Sequence, residues 1–244
     1  MDDNTVFVKR YTGSEDSLSA VDAGEVWRYA GFPGGPSGED EPLEALFEEV
    51  LAQSRGVFRY DVCYRRFPLR FEDGMPVLPF AHSSKGLARC LRGSREAVMM
   101  AATVGIGTDR MIARAQRESA ARALLWQALG AERVEALCDT FCADLLKESA
   151  DPGIRETPRF SPGYGDLPLE TQKDFVRILD CSRQIGVSLS ETLLMTPSKS
   201  VTAIFGILPA CEDGKRGEVA DRGGQGCRGC AAKDCMFRKT PGRS

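Results

Sequence analysis

The chain has 244 residues, 42% of them hydrophobic, which is enough for a buried core organised as one large or two small domains. A formal charge of -3 excludes the basic footprint of a general nucleic-acid binder, and no run of about 18 apolar residues is present to span a membrane. The N-terminus MDDNTVFVKRYTGSEDS is polar and acidic, unlike a secretory signal, so a cytoplasmic protein is expected.

Residues 1–18 read as a flexible N-terminus, followed by a short helix around Ala20–Tyr29 that Gly31 ends. In PLEALFEEVLAQS the residues Leu43, Leu46, Phe47, Val50 and Leu51 recur at helical spacing and predict an amphipathic helix. VFRYDVCYRRF alternates instead: Phe58, Tyr60, Val62 and Tyr64 face one way and Arg59, Asp61 and Arg65 the other, as in a half-buried strand. After the short run MPVLPF comes a helix from about Ser84 to Leu91. EAVMMAATVG (96–105) is a continuous apolar run that fits a buried central strand.

Two helices are expected next. One runs from about Asp109 to Leu129 with a break near Ser119, and the other carries the stripe Val134, Leu137, Cys138, Phe141, Cys142 and Leu145. A helix starting near Asp166, Pro168 and Glu170 and ending at Gly186 would bury Phe175, Ile178, Leu179 and Ile185. SLSETLLM and SVTAIFGIL then read as two strands of a hairpin turning at Thr196-Pro197-Ser198-Lys199. These elements define an α+β domain over 19–208, a mixed, mostly antiparallel twisted sheet with flanking helices, followed by a Cys-rich tail from 209 to 244. No internal repeat is visible.

Nine cysteines in a chain of cytoplasmic character point to buried thiols, metal ligands or redox groups rather than disulfides. Cys63, Cys90, Cys138, Cys142 and Cys181 lie in regular elements and read as core. Cys227, Cys230 and Cys235 form a C-x2-C-x4-C run, with Cys211 ahead of it. Four thiolates of this kind suit zinc or an iron–sulfur cluster, and in a segment with so little to bury, metal binding would supply most of the order. The one histidine, His82, leaves little room for acid–base or nucleophile–base catalysis. TVGIGTD (103–109) places Gly-x-Gly between a strand and a helix but lacks the third glycine and the lysine of phosphate loops, so it reads as a plain turn.

RFSPGYGDLP (159–168) carries the densest signal. Pro162-Gly163 forces a turn in which small residues leave peptide groups open to a ligand. Arg159 offers a rigid fork of donors to a carboxylate or phosphate, and Tyr164 a flat face or one hydrogen bond. The set suits a small molecule with an anionic end and an aromatic end; the bland alternative is a rigid start to the next helix with Arg159 in a surface ion pair.

Segment 159–173, RFSPGYGDLPLETQK, resembles the Arg-x-x-Pro-Gly-Tyr-x-x-x-Pro-x-x-Thr-x-Lys stretch of the activation domain of cobalamin-dependent methionine synthase. GVSLSETLLMTPSKSVTAIFGI (186–207) is similar to that family's following strands, and AGEVWRYAGF and ALGAERVEALCDTF resemble its free-standing members, so the likeness covers about residues 20–207. The resemblance implies an S-adenosylmethionine-binding role in restoring methylcobalamin after oxidation to cob(II)alamin. Carried over, Arg159 would hold the ligand carboxylate, the backbone at Ser161 would meet the adenine, and Gly163 and Tyr164 would complete the site. The family's acidic residue on the sulfonium side has no clear counterpart, with Asp61 and Glu72 as candidates by position. Where the family has a later tyrosine, this chain has Ile204 and Phe205.

No Asp-x-His-x-x-Gly cobalamin-ligand motif is present, so the corrin would belong to a separate methionine synthase or corrinoid protein, with a flavodoxin-like or other electron donor. Direct methyl displacement needs positioning and desolvation more than a protein base. The basic clusters RYDVCYRR and ARCLRGSR read mainly as solvated faces, either of which would suit an acidic partner. The alternative role is a non-enzymatic metal or redox module, iron–sulfur or zinc, docking to a corrinoid protein.

Overall fold

The computed structural model describes residues 5–11, 18, 20–36, 41–151 and 153–210. The proposed metal ligands Cys211, Cys227, Cys230 and Cys235 lie outside these residues, and among the described ones no group of metal-ligating side chains is found.

In chain order the elements are β1 (Phe7–Tyr11), α1 (Ala23–Tyr29), α2 (Glu41–Ser54), β2 (Tyr60–Pro68), β3 (Phe71–Glu72), β4 (Met75–Pro76), α3 (Lys85–Cys90), β5 (Glu96–Thr103), α4 (Ile106–Glu118), α5 (Ala120–Lys147), β6 (Arg155–Glu156), α6 (Gln172–Ile178), α7 (Cys181–Ile185), β7 (Ser188–Leu189), β8 (Met195–Thr196) and β9 (Ser200–Leu208). The main sheet has the order β1-β2-β5-β9-β6, with every neighbouring pair antiparallel. β3–β4 and β7–β8 form separate two-stranded ribbons. No helix among the described residues is long and apolar enough to cross a membrane.

β5 is the centre of the sheet because it is apolar on both sides. Val98, Met100 and Ala102 pack with Val134, Leu137, Cys138 and Phe141 of α5 on one face, while Ala97, Met99 and Ala101 pack with Leu87, Phe175, Leu179 and Cys181 on the other. A third cluster joins Val26 and Trp27 of α1, Phe47 and Val50 of α2 and Ile112 of α4 to Trp126 and Leu129 of α5. α5 is therefore shared: its first half belongs to a helical layer and its second half covers the sheet.

Several expectations are corrected. Phe7–Tyr11, inside the segment read as flexible, is the edge strand β1 and pairs with β2 along its whole length. β2 is buried on both faces from Tyr60 to Cys63, because helices cover the sheet from either side and Asp61 lies between the guanidinium groups of Arg59 and Arg10. The chain does break at Ser119, whose φ of -161° and ψ of 132° are extended. No second break follows near Leu129, however, and α5 continues for 28 residues, about 42 Å. Gly130 survives inside it because Thr108 and Lys199 press against its bare Cα; an added Cβ would stand 2.8 Å from Thr108 Cγ2 and 2.9 Å from Lys199 Cγ.

The helix expected from Asp166 to Gly186 is split at Asp180, whose left-handed φ of 47° stops α6 and starts α7. The late hairpin is also displaced. β7 pairs with β8 around a tip at Ser190–Leu194, and β9 instead joins β5 in the main sheet.

Candidate functional site

The segment that carries Arg159 continues the sheet beyond β6. Phe160 N–H donates to Ile204 O and Ile204 N–H to Phe160 O, both at 2.8 Å, so the chain is extended where it leaves β9. Extended backbone sends successive side chains to opposite faces. Phe160 accordingly packs into the cluster of Leu167, Phe175 and Ile204, and Arg159 points the other way, onto α5.

There the Arg159 guanidinium lies between two carboxylates one helical turn apart. Nη1 donates to Asp139 Oδ1 at 2.6 Å and Nη2 to Glu135 Oε2 at 2.9 Å, while Cys142 Sγ stands 3.9 Å from Nη1. The Arg159 side chain is 23% exposed, against 44% for Glu135 and 68% for Asp139, so the cluster is open on its carboxylate side. Burial opposes the Arg159 charge, but its neighbours, the two carboxylates among them, outweigh burial and raise its pKa above the ordinary arginine value. Burial also pushes the Cys142 thiol up to about 11 despite the nearby guanidinium, and Cys138 is raised by the same cause.

The turn that follows is closed by its own backbone. Gly163 N–H donates to Leu167 O at 2.9 Å, Tyr164 N–H to Ser161 O at 3.0 Å and Leu167 N–H to Tyr164 O at 3.0 Å. Gly163 at φ 85° and Gly165 at φ 55° occupy the left-handed region that favours glycine. Tyr164 is 70% exposed, and its ring meets Phe160 edge-on at 6.3 Å. The structure thus joins Ser161, Gly163 and Tyr164 in one turn but sends Arg159 across the sheet segment to α5. Arg159 precedes the turn and rests against α5, while Tyr164 stands exposed within the turn.

Glu135 and Asp139 are the acidic residues that meet Arg159; Asp61 and Glu72, the candidates for the sulfonium side, lie elsewhere. Asp61 pairs with Arg59 Nε at 2.6 Å on β2, and Glu72 is exposed in the β3–β4 ribbon. The sequence signal for the pair is an i, i+4 acidic repeat beside the apolar stripe of α5. Ile204 and Phe205 are fully buried core residues whose apolar side chains supply no hydroxyl contact. His82 Nε2 lies 3.0 Å from Pro76 O, with its ring 5.6 Å from Phe80. Cys63, Cys138, Cys142 and Cys181 are buried and Cys90 is half-buried, none of them in a disulfide. Gly105, in the Gly-x-Gly turn, precedes α4 as a strand-to-helix connection.

An antiparallel sheet covered by helices on both faces, with an Arg-x-x-Pro-Gly-Tyr turn against its last long strand, defines a recognisable class. The profile of the vitamin B12-dependent methionine synthase activation domain matches residues 92–220, more than half of the chain, and the chain belongs to that family. Among solved structures, the crystal structure of the MetH reactivation domain bound to AdoHcy is similar, with a TM-score of 0.59 at 14% identity over 90% of this chain and 82% of that one. No curated protein sequence matches significantly.

Proposed function

We propose that this chain binds S-adenosylmethionine and presents its methyl group to a reduced cobalamin held by a separate methionine synthase or corrinoid protein. The observation that carries the reading is the charge arrangement at Arg159: one guanidinium between Glu135 and Asp139, beside a turn that exposes Tyr164. The amino-acid end of S-adenosylmethionine is a zwitterion. Its carboxylate finds Arg159 and its ammonium finds Glu135 or Asp139, so both charges are met without an uncompensated ion. The exposed ring of Tyr164 offers a flat surface to the adenine, with the backbone at Ser161 and Gly163 beside it. That the similar reactivation domain was solved with AdoHcy, the demethylated form of the same nucleoside, supports this assignment.

Reduced cobalamin on the partner supplies the nucleophile for the methyl carbon, and S-adenosylhomocysteine leaves with the electron pair of the broken carbon–sulfur bond. The work left to this chain is to hold the sulfonium and orient it, which calls for positioning more than for a protein base. A flavodoxin-like or other electron donor would return oxidised cobalamin to the reactive state, in a cytoplasmic setting. Calorimetric titration of the whole chain with S-adenosylmethionine and with S-adenosylhomocysteine tests the reading. Saturable binding of both is expected, and mixing with a reduced corrinoid protein should give methylcobalamin only when nucleoside and chain are both present. Absence of binding at about 1 mM ligand, weaker than roughly -4 kcal/mol, would refute it.

A further inference from the structure

The turn that carries Ser161, Gly163 and Tyr164 is tied to a distant part of the chain. Asp166 Oδ2 accepts from Lys85 N–H at 2.8 Å, and both of its oxygens accept from Gly86 N–H, at 3.1 and 3.2 Å. The hydroxyl of Ser84 donates to Asp166 Oδ1, and the same Ser84 oxygen accepts from Leu87 N–H at 2.9 Å, capping α3. We infer that Asp166 is a positioning residue: its carboxylate clamps the 159–168 turn onto the first turn of α3 and thereby fixes the backbone that faces the ligand.

Three observations carry this. The clamp joins residues about 80 positions apart in sequence, so it is a tertiary staple and not a local turn preference. Its close approach depends on the missing side chain of Gly86, because a Cβ there would stand 2.7 Å from Asp166 Oδ1 and 3.2 Å from Phe160 Cζ. The turn is anchored at its far end by the Phe160–Ile204 pairing and at its near end by buried Leu167, which leaves Pro162–Gly165 spanning two fixed points. Removing the Asp166 anchor frees only that span. The carboxylate is engaged with α3 and acts on the ligand through the turn. Its pKa is lowered, first by the Ser84 hydroxyl and then by the Gly86 and Lys85 amides, so it is ionised at neutral pH and accepts charge-assisted bonds.

The inference rests on the proposed nucleoside site, and its test separates the two. Asp166→Ala, Asp166→Asn and Gly86→Ala are compared with the wild type by hydrogen exchange over residues 161–169, by S-adenosylmethionine affinity and by melting temperature. Asp166→Ala should speed exchange in that segment, leave β5 and α5 unchanged, and weaken affinity about tenfold, because the ligand must then order the freed turn. Asp166→Asn, which keeps an acceptor but not the charge, should fall between. Gly86→Ala leaves the turn sequence intact and places alanine at an ordinary helical position, which favours α3. That preference offsets part of the clash, so Gly86→Ala should lower the melting temperature less than Asp166→Ala while weakening binding as much, a split that a purely structural role would not give. Unchanged exchange in Asp166→Ala, or faster exchange with wild-type affinity, overturns the inference. A wild type that binds no nucleoside refutes the functional reading instead, and exchange alone then decides whether the clamp orders the turn.

Discussion

Replacing Arg159 by alanine should separate ligand binding from folding. On the folding side the loss is small. Arg159 pairs with Glu135 at 2.9 Å and Asp139 at 2.6 Å, but these carboxylates are 44% and 68% exposed, and pairs of this kind stabilise by about 0–1 kcal/mol each. Leaving two like charges at i, i+4 on α5 adds a few tenths of a kcal/mol of repulsion, roughly 0.2–0.5. The variant should therefore unfold within about 1–2 kcal/mol of the wild type in urea. On the binding side the ligand carboxylate loses a charge-assisted partner, roughly 1.5–3 kcal/mol, or about 10- to 150-fold in affinity for S-adenosylmethionine. Arg159→Lys should recover part of this, since a lysine keeps the charge but not the planar fork that spans two acceptors. Calorimetric titration and urea denaturation on the same preparation read both quantities. An Arg159→Ala variant that binds the nucleoside as the wild type does would refute the placement of the carboxylate, whatever its stability.

Other substitutions and conditions report on the scaffold. Phe141→Ala removes a fully buried ring packed 5.0 Å from Tyr64 between α5 and the sheet, and should cost about 3–5 kcal/mol in urea denaturation. Gly206→Ala would set a Cβ 2.0 Å from Ser94 Oγ and 2.7 Å from Ser94 Cβ, so overpacking should cost about 1–3 kcal/mol on the same measurement. Melting temperature should fall as pH rises from about 9 to 11. Burial raises Cys142 from 9.0 to about 11, so over that window the unfolded chain releases a proton that the folded chain keeps, worth about 2–3 kcal/mol. Buried Cys138 and Tyr60 are raised as well and act with the same sign, whereas Lys199, lowered by burial, opposes them. For the tail, metal analysis of the whole chain should find about one structural zinc or one iron–sulfur cluster, lost in Cys227→Ser; no metal in anaerobically isolated protein would remove that assignment.

Elements governed by short-range periodicity are legible in the amino-acid sequence: the helix carrying Leu43 to Leu51, central strand β5, the Ser84-capped α3 and the break at Ser119. Each announces itself through spacing or a single capping side chain. Sequence and structure part where a residue serves a distant contact. Gly130 resembles the end of a helix because its reason for being glycine is the approach of Thr108 and Lys199 from other elements. Asp180 and Leu193 take left-handed backbone at φ 47° and 65° without the glycine or asparagine that would mark such a turn, so nothing local signals the split of α6 from α7 or the tip of the β7–β8 ribbon. The Pro-Gly-Tyr turn itself is readable from its residues. The side to which Arg159 points is not, because it depends on Phe160 pairing with Ile204, more than 40 residues later.

That pairing explains why the site stands where two otherwise separate packing problems meet. The first half of α5 is held among α1, α2 and α4, and its second half lies on the sheet face lined by Val98, Met100 and Phe205. Glu135 and Asp139 are on this sheet-covering half, and their positions are fixed by the burial of Val134, Leu137 and Cys138 beside them. Arg159 comes from the opposite direction, set by the register of the strand segment against β9. A rigid helix supplies the two anions, and the short segment between β6 and the Phe160–Ile204 bridge supplies the cation, all three within hydrogen-bond reach. Geometry of this kind changes little on binding, so affinity should follow the charge pattern more than the reorganisation of the chain. The turn carrying Tyr164 is the adjustable part, and its freedom is limited by what Asp166 does at α3.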